Sequence, residues 1–188
     1  MFWKKKKKNN VFECSQCGVI HDMWPALTYE SPTPYHQLTD HEKKTIGKLN
    51  TDFCVIENQE QTDRFIRVVL SQKVIDYSQD LEYGVWVSLS EKSFNDYKEN
   101  FNNEEHQTEY FGWLSNDIPQ YDFFESIPMT VHTKKGNTRP EIIPHDDFHH
   151  PFIRDYYNGI SKEEAETRIH QMMDRITNSN EIKSNTEG

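Results

Sequence analysis

Hydrophobic positions in the middle of the chain are concentrated in several short stretches rich in β-branched and aromatic residues, a composition typical of β-strands. The stretches predicted as strands are 53–56, 65–70, 83–89, 110–114, 129–133 and 140–143, together with the short stretch 11–14. Within 83–89 the alternation places Val85, Val87 and Leu89 on one face and Trp86 on the other. The segment Lys135-Gly136-Asn137, between the last two stretches, has the residue types of a hairpin turn.

Three helices are predicted from apolar residues at helical spacing that follow an N-terminal capping residue. They are 40–47, with a capping box of Thr39 and Glu42, and 162–176, with a capping box of Ser161 and Glu164. The third is 91–101 after Ser90, with Phe94, Tyr97 and Phe101 in one stripe. Strands and helices do not alternate regularly, unlike in the doubly wound parallel sheets of βαβ proteins. The order therefore predicts an α+β fold with a largely antiparallel sheet, about three helices and a Cys-x2-Cys turn near the N-terminus.

The length of 188 residues is typical of one domain. That domain is predicted to cover residues 11–176, where the apolar periodicity is found. Residues 1–10, with a run of lysines at 4–8, are predicted to be a disordered tail, and so are residues 177–188. The segment 24–34 contains three prolines and is predicted to be an irregular connection.

An excess of acidic residues limits the kinds of molecule that the protein is expected to bind. The chain has 31 acidic and 21 basic residues, and five of the basic ones are Lys4 to Lys8. Such an acidic body repels phosphate backbones, so duplex nucleic acid is not expected as a partner. The sequence shows neither an apolar stretch long enough to span a membrane nor a secretory signal. No membrane partner is therefore expected, and a cytoplasmic location is predicted.

Cys14 and Cys17 form the strongest local signal for chemistry. Their Cys-x2-Cys-Gly turn aims two sulfurs at one tetrahedral zinc ion, but the sequence contains no second such pair. We therefore expect the strand of Cys54 to lie beside the short N-terminal strand 11–14, so that Cys54 and His21 complete a structural zinc site, with His150 as the substitute for His21. The alternative is that these are ordinary turn and core cysteines. A thioredoxin-like redox pair is the weaker alternative, because no obvious helix start follows the motif.

Other polar residues give weaker signals. His145 and His149 are four residues apart, as metal ligands on one helix face are, but the prolines that bracket them favour a solvated loop. Arg67 and Arg139 are expected either to bind an anionic ligand or to pair with surplus acid. No nucleophile elbow, phosphate-binding loop or dinucleotide fingerprint is present in the sequence, so no catalytic residue is predicted.

The aromatic residues favour a packed core. The chain has 9 Tyr, 11 Phe and 4 Trp, far more than disordered chains contain. Trp86, Trp113, Tyr110 and Phe111 are predicted to belong to the core of their strands, with the lining of a ligand pocket as the alternative. Trp24, in the proline-rich segment, is predicted to be exposed.

Eight blocks of residues follow one another in a recognisable order. They are Cys14-x2-Cys17-Gly18-x2-His21, Asp52–Ile56, Phe65–Arg67, Gly84–Ser90, Tyr110–Asn116, Arg139-Pro140, His150-Pro151 and Gly159–Ser161. In this order the chain resembles the bacterial domain-of-unknown-function family 2199, from about residue 12 to residue 176. The two blocks that contain tryptophan are the most specific. The resemblance implies the domain boundaries, and it implies no activity.

These observations predict an uncharacterised bacterial domain that acts as a non-catalytic protein-binding or accessory module, with a structural zinc site. Two alternatives stay open. One is a metal-dependent enzyme that uses Cys14, Cys17 and a histidine around a metal with an open coordination position. The other is an acidic immunity-type inhibitor of a nuclease toxin, which the charge alone suggests.

Overall fold

The described part of the chain forms ten strands and five helices. A computed structural model of the chain describes residues 12–13, 20–21, 23–136 and 138–186, with side-chain surroundings for 23–136 and 138–175. The strands are β1 (Phe12–Glu13), β2 (Ile20–His21), β3 (Leu27–Thr28), β4 (Gly47–Leu49), β5 (Phe53–Glu57), β6 (Thr62–Gln72), β7 (Leu81–Leu89), β8 (Glu109–Leu114), β9 (Pro128–Lys134) and β10 (Thr138–Pro144). The helices are α1 (Thr33–His36), α2 (Asp40–Thr45), α3 (Glu91–Glu99), α4 (Pro151–Asn158) and α5 (Lys162–Thr186).

A closed barrel of five strands forms the centre of the molecule. The long strands β6 and β7 pair antiparallel from Phe65↔Ser88 to Gln72↔Leu81. Strands β8, β9 and β10 continue as an antiparallel meander, and β10 then pairs with β6 in parallel at Glu141↔Val69. An odd number of strands that alternate in direction can close only with one parallel pair. The predicted α+β class and largely antiparallel sheet are therefore confirmed, whereas the closure of the sheet was not predicted.

Three further strands extend the barrel sheet at its edges. The N-terminal half of β6 pairs with β5, which in turn pairs with β4. The N-terminal part of β7 pairs with β3 in parallel. Strands β1 and β2 form a separate two-stranded ribbon, with Phe12 opposite His21 and Glu13 opposite Ile20. Residues 14–19, which connect the ribbon and include the predicted Cys-x2-Cys turn, lie outside the described residues.

The alternation of side chains sorts the strands into an inner and an outer face. Val85, Val87 and Leu89 are buried inside the barrel, as the sequence predicts. Trp86 points to the opposite face and is also fully buried, because it packs in a second apolar cluster with Cys54, Ile56 and Phe65. This outer cluster is covered by residues from α1 and the segments beside α2, namely Tyr35, Leu38 and Ile46, and by Tyr29.

Two of the three predicted helices match closely. Thr39 and Glu42 form the predicted capping box at the start of α2, and the Ser90 hydroxyl accepts from the Ser93 N–H at the start of α3. The structure has five helices, however, so the prediction of about three is wrong. α1 and α4 were not predicted, because both are short and each has a proline in its first turn. Proline is tolerated in the first turn of a helix but not in its interior.

The last helix is longer than predicted. α5 continues to Thr186, so the predicted end at residue 176 is wrong, and residues 177–186 are helical in backbone. The segment contains no glycine or proline that would stop the helix before Gly188. The predicted tail at residues 1–10 lies outside the described residues. In the part of the chain that the structure describes, no helix is both long enough and apolar enough to span a membrane.

A buried arginine fixes α5 to the barrel. Arg168 donates from Nε to Glu164 Oε1 (2.8 Å), from Nη1 to the Tyr83 hydroxyl (3.2 Å) and from Nη2 to the Tyr121 hydroxyl (2.8 Å). The Ser161 hydroxyl caps the Glu164 N–H, but the Glu164 carboxylate binds Arg168, which differs from the reciprocal capping box predicted there. A buried guanidinium is tolerated because its donors are satisfied.

We expect Gly112→Ala to lower the free energy of unfolding by about 1–3 kcal/mol, the range of overpacking substitutions. Gly112 faces the barrel interior, and an added Cβ would overlap the Val87 Cγ2 methyl and lie 2.7 Å from the Ser88 carbonyl oxygen. Urea denaturation measures the loss. The control is Gly84→Ala on the outer face, where the nearest atom is Thr28 Cγ2 at 3.2 Å. Equal losses for the two variants would contradict the interior position of Gly112.

Candidate functional site

Two large aromatic side chains lie exposed on the outer face of the barrel. On β8 the interior is filled by Tyr110, Gly112 and Leu114, and the alternation turns Phe111 and Trp113 outward. Phe111 is 50% exposed and Trp113 is 41% exposed. The prediction that both belong to the core is therefore wrong. The pattern did not distinguish the two faces, because residues 110, 111, 113 and 114 are all apolar.

The exposed rings are held in a fixed arrangement. The Phe111 and Trp113 rings meet edge to face with centroids 5.0 Å apart, and the His145 ring lies 5.6 Å from Phe111. His145 Nε2 is in turn 3.0 Å from Thr130 Oγ1, and Thr130 is the cross-strand neighbour of Phe111. We call Phe111, Trp113, Thr130 and His145 the aromatic face. Its rings contact one another and a hydrogen-bonded histidine, so their positions are set before any ligand arrives.

An open cleft of about 690 Å³ adjoins the aromatic face at Trp113. Its floor crosses three strands, because Phe65 pairs with Ser88 and Ser88 pairs with Trp113. The remaining lining includes Phe148 and residues of α1. The charged side chains among its lining are the carboxylates of Asp63 and Asp117, and no described lysine or arginine lines it. The cleft therefore combines apolar surface with negative charge.

A buried asparagine positions the wall of the cleft. Asn116 Oδ1 accepts from the Trp86 N–H (2.7 Å), and Asn116 Nδ2 donates to the Ser31 carbonyl (2.9 Å). The Trp86 indole N–H donates to the Tyr29 carbonyl (3.1 Å), and the Thr33 N–H donates to the Ser115 carbonyl (2.7 Å). These bonds join the segment 29–33, which leads into α1, to β7 and the end of β8. We did not predict this role of Asn116, although it ends one of the two tryptophan blocks.

The two candidate anion-binding arginines differ in their surroundings. Arg139 Nε donates to Asp52 Oδ1 at 2.8 Å, so Arg139 pairs with acid, one of the two expected roles. Arg67 lies over the Trp86 ring, with its guanidinium carbon 6.0 Å from the ring centroid. Burial, followed by the nearby charge of Arg139, lowers the pKa of Arg67, while Asp52 and Glu30 act in the opposite direction.

The predicted zinc ligands are only partly described. Cys14 and Cys17 lie outside the described residues, and of His21 the structure describes only the backbone, in β2. Cys54 is a free, fully buried thiol in the outer cluster, and burial raises its pKa to about 12. Within the described residues, no group of three or more His, Cys, Asp and Glu side chains is arranged to hold a metal ion. The set of Cys14, Cys17, His21 and Cys54 stays a prediction.

One expectation behind that set is wrong. Cys54 was expected to lie on a strand beside the N-terminal strand, but both edges of β5 are occupied, by β4 and by β6. His150, the substitute ligand, caps α4 instead: its Nδ1 accepts from the Phe152 N–H (3.1 Å), and its Nε2 lies 2.9 Å from the Asp122 carbonyl oxygen. Because both ring nitrogens have partners, His150 is not available as a ligand in this arrangement.

The remaining candidates are settled by their local contacts. His145 and His149 lie in the turn and bend that follow β10, so the loop interpretation is confirmed and the helical metal pair is not formed. Trp24 is buried and stacks on Tyr77 with ring centroids 4.4 Å apart, so the prediction that it is exposed is wrong. The Gln79 side chain accepts from the Trp24 backbone N–H through Oε1 and donates to the Trp24 carbonyl through Nε2, which connects the proline-rich segment to the body of the domain.

The fold and site define a barrel-centred α+β domain with an exposed aromatic face beside an acidic cleft. A family model described as "uncharacterized protein conserved in bacteria" matches residues 13–160, so the chain belongs to the domain-of-unknown-function family 2199. The resemblance inferred from the sequence is thereby confirmed. No curated protein and no solved structure matches the chain.

We expect Cys54 to resist alkylation by iodoacetamide at pH 8 in the folded protein, because the buried thiol, with its pKa raised to about 12, stays protonated and out of reach. Mass spectrometry of the peptide that contains Cys54 measures the label. The same peptide from protein unfolded in guanidinium is the control and should be labelled fully. Labelling at the same rate in both states would contradict the burial of Cys54.

Proposed function

We propose that this domain is a non-catalytic protein-binding module, and that it docks its partner on the aromatic face and the adjoining cleft. The observation that carries the proposal is the outward position of Phe111 and Trp113 on β8. Aromatic side chains in a fixed, half-exposed arrangement are typical anchors of protein interfaces, since they bury a large area at a small loss of conformational entropy.

Ile143 and the cleft widen the docking surface beyond the two rings. Ile143 is 38% exposed and is the cross-strand neighbour of Thr130, which places it in one row with Phe111 across β8, β9 and β10. On the other side, Trp113 borders the cleft of about 690 Å³. A surface that joins exposed apolar side chains to a concave region is able to receive an apolar anchor from a partner.

Charge indicates the chemistry of that partner. The cleft is bordered by Asp63 and Asp117 without a described basic side chain, in a chain with ten more acidic than basic residues. A segment that carries an apolar anchor between lysines or arginines complements such a surface in shape and in potential. The acidic immunity-type inhibitor is one form of this proposal. A nuclease binds its negatively charged substrate on a basic surface, and an acidic docking site complements such a surface.

We further propose that the ribbon of β1 and β2 carries a structural zinc ion bound by Cys14 and Cys17. The antiparallel register, with Glu13 opposite Ile20, supports the proposal, because it brings the residues that flank the motif together. In structural zinc sites, cysteines with this spacing commonly bind from a turn. The two further ligands predicted from the sequence are His21 and Cys54. The apolar surroundings of Cys54 weigh against its part in the site.

We expect a peptide with a central aromatic or leucine anchor flanked by lysines to bind at least about ten-fold more tightly than the same anchor flanked by glutamates. Fluorescence anisotropy of the labelled peptides measures both dissociation constants. Added salt should weaken the binding of the lysine-flanked peptide, because part of the attraction is between exposed charges. Equal affinity for the two peptides would contradict the proposed acidic docking site.

Substitutions of the two exposed rings test the position of the docking site. Phe111→Ser and Trp113→Ser should each weaken peptide binding by about ten-fold, the effect of losing an interface anchor. Phe124→Ser is the control, because Phe124 is 91% exposed and lies outside the sheet, between β8 and β9. If Phe124→Ser weakens binding as much as Trp113→Ser does, the aromatic face is not the docking site.

For the zinc proposal, we expect protein purified without chelators to contain about one zinc ion per chain by elemental analysis. Cys14→Ser and Cys17→Ser should remove the metal and lower the thermal stability, because structural metal binding is coupled to folding. Cys54→Val is the informative companion: it removes the metal only if Cys54 is a ligand. Absence of zinc together with unchanged stability of Cys14→Ser would overturn the proposal. A metal bound by only three residues would favour the enzyme alternative.

A further inference from the structure

Arg67 differs from other arginines of the described chain in having no acidic partner. Those that donate to a carboxylate are Arg64, Arg139, Arg154 and Arg168. Arg67 makes no ion pair with a described residue, and its buried Nε has no hydrogen-bond partner. The chain has 31 acidic residues for 21 basic ones, so the lack of an acidic partner for Arg67 does not arise from a shortage of acidic side chains.

The position of Arg67 leaves its guanidinium directed along the outer face of the barrel. Arg67 is the cross-strand neighbour of Trp86, over whose ring the guanidinium lies. Beside it, Gly84 carries no side chain: a Cβ at that position would lie 3.7 Å from Arg67 Nη2 and 3.2 Å from Thr28 Cγ2. These distances leave little room for a side chain at position 84, so Gly84, Thr28 and the indole of Trp86 pack closely against one side of the guanidinium.

The acidic side chains nearby do not pair with the Arg67 guanidinium. The backbone carbonyl of Asp52 accepts from the Arg67 N–H, but the Asp52 carboxylate is bound by Arg139. Glu30 contributes to the potential at Arg67 without forming a pair. A half-buried cation with an unsatisfied donor is unfavourable in a folded protein and is retained where it is used.

We propose that Arg67 binds the carboxylate group of a ligand, while Trp86 and Gly84 pack against one side of its guanidinium. The planar fork of a guanidinium matches a carboxylate in two parallel hydrogen bonds. A singly charged carboxylate suits the site better than a phosphate, because the nearby cation Arg139 is already paired with Asp52 and Glu30 repels a second negative charge. This inference concerns a different part of the barrel surface from the aromatic face and does not rest on the proposed docking there.

Nuclear magnetic resonance of the Arg67 Nε–H in the full chain tests the proposal directly. Titration with sodium acetate, against sodium chloride at equal ionic strength, should shift this signal in a saturable way and leave the Nε–H of Arg154 unchanged. Sodium phosphate should shift the Arg67 signal less than acetate does.

Acetyl-alanine and acetyl-alanine amide distinguish a peptide carboxyl end from a free organic acid. A stronger effect of acetyl-alanine than of acetate indicates a peptide end, and an equal effect indicates a small acid. No saturable shift with any carboxylate, or an equal shift with phosphate or the amide, would overturn the assignment.

A pair of substitutions separates ligand binding from a structural role. Arg67→Met keeps an unbranched apolar stem and removes an unpaired charge, so the Tm should stay unchanged or rise by about 2–4 °C while the acetate response is lost. Arg139→Met is the matched control: it leaves Asp52 without its partner and should lower the Tm. If Arg67→Met lowers the Tm as much as Arg139→Met does, Arg67 is a structural residue and the proposal is wrong. The titration of the unaltered chain decides the question even if Arg67→Met does not fold.

Discussion

The antiparallel ladder between β6 and β7 supports every other part of the molecule. Its two strands are long enough to serve different partners at their two ends: β6 pairs with β5 near its start and with β10 near its end, while β7 pairs with β3 and then with β8. One face of the ladder lines the barrel, and the opposite face carries the outer cluster. A shift of one residue in this register would exchange the two faces, turning Trp86 into the barrel and Val85 and Val87 outward. The interior residues of both strands therefore fix the geometry of the outer surface.

Local signals predicted the elements well where one physical cause dominates. The capping box of Thr39 and the helical stripe with Phe94 and Tyr97 arise from contacts within a few residues, and both are present in the structure. The opposite faces of Val87 and Trp86 follow from the pleat of the strand alone. Gly136, with a φ of 92°, occupies the position in the β9–β10 turn that favours glycine, as its hairpin composition indicates.

Features that depend on contacts between residues far apart in the chain could not be predicted from local sequence patterns. Closure of the barrel rests on the parallel pairing of β10 with β6, which joins Glu141 to Val69 and leaves no mark in either strand. Burial of Trp24 depends on Tyr77, far along the chain, and exposure of Trp113 depends on which face of β8 the barrel uses. The aromatic residues of the candidate site were therefore predicted to be core, with the lining of a ligand pocket as the alternative, and the outward direction of Phe111 and Trp113 came only from the fold.

The outer surface of the barrel is divided by the segment 29–33, which crosses Trp86. On one side of Trp86 lies the guanidinium of Arg67, and on the other the row of Phe65, Ser88 and Trp113 forms the floor of the cleft. The crossing segment is held by the indole N–H of Trp86 and by Asn116, and it continues into α1, which lines the cleft. The same indole contacts Arg67 on one side and holds the segment that borders the cleft on the other. Tryptophan at position 86 therefore contributes a hydrogen-bond donor and a ring face to the outer surface, in addition to the apolar area that it buries.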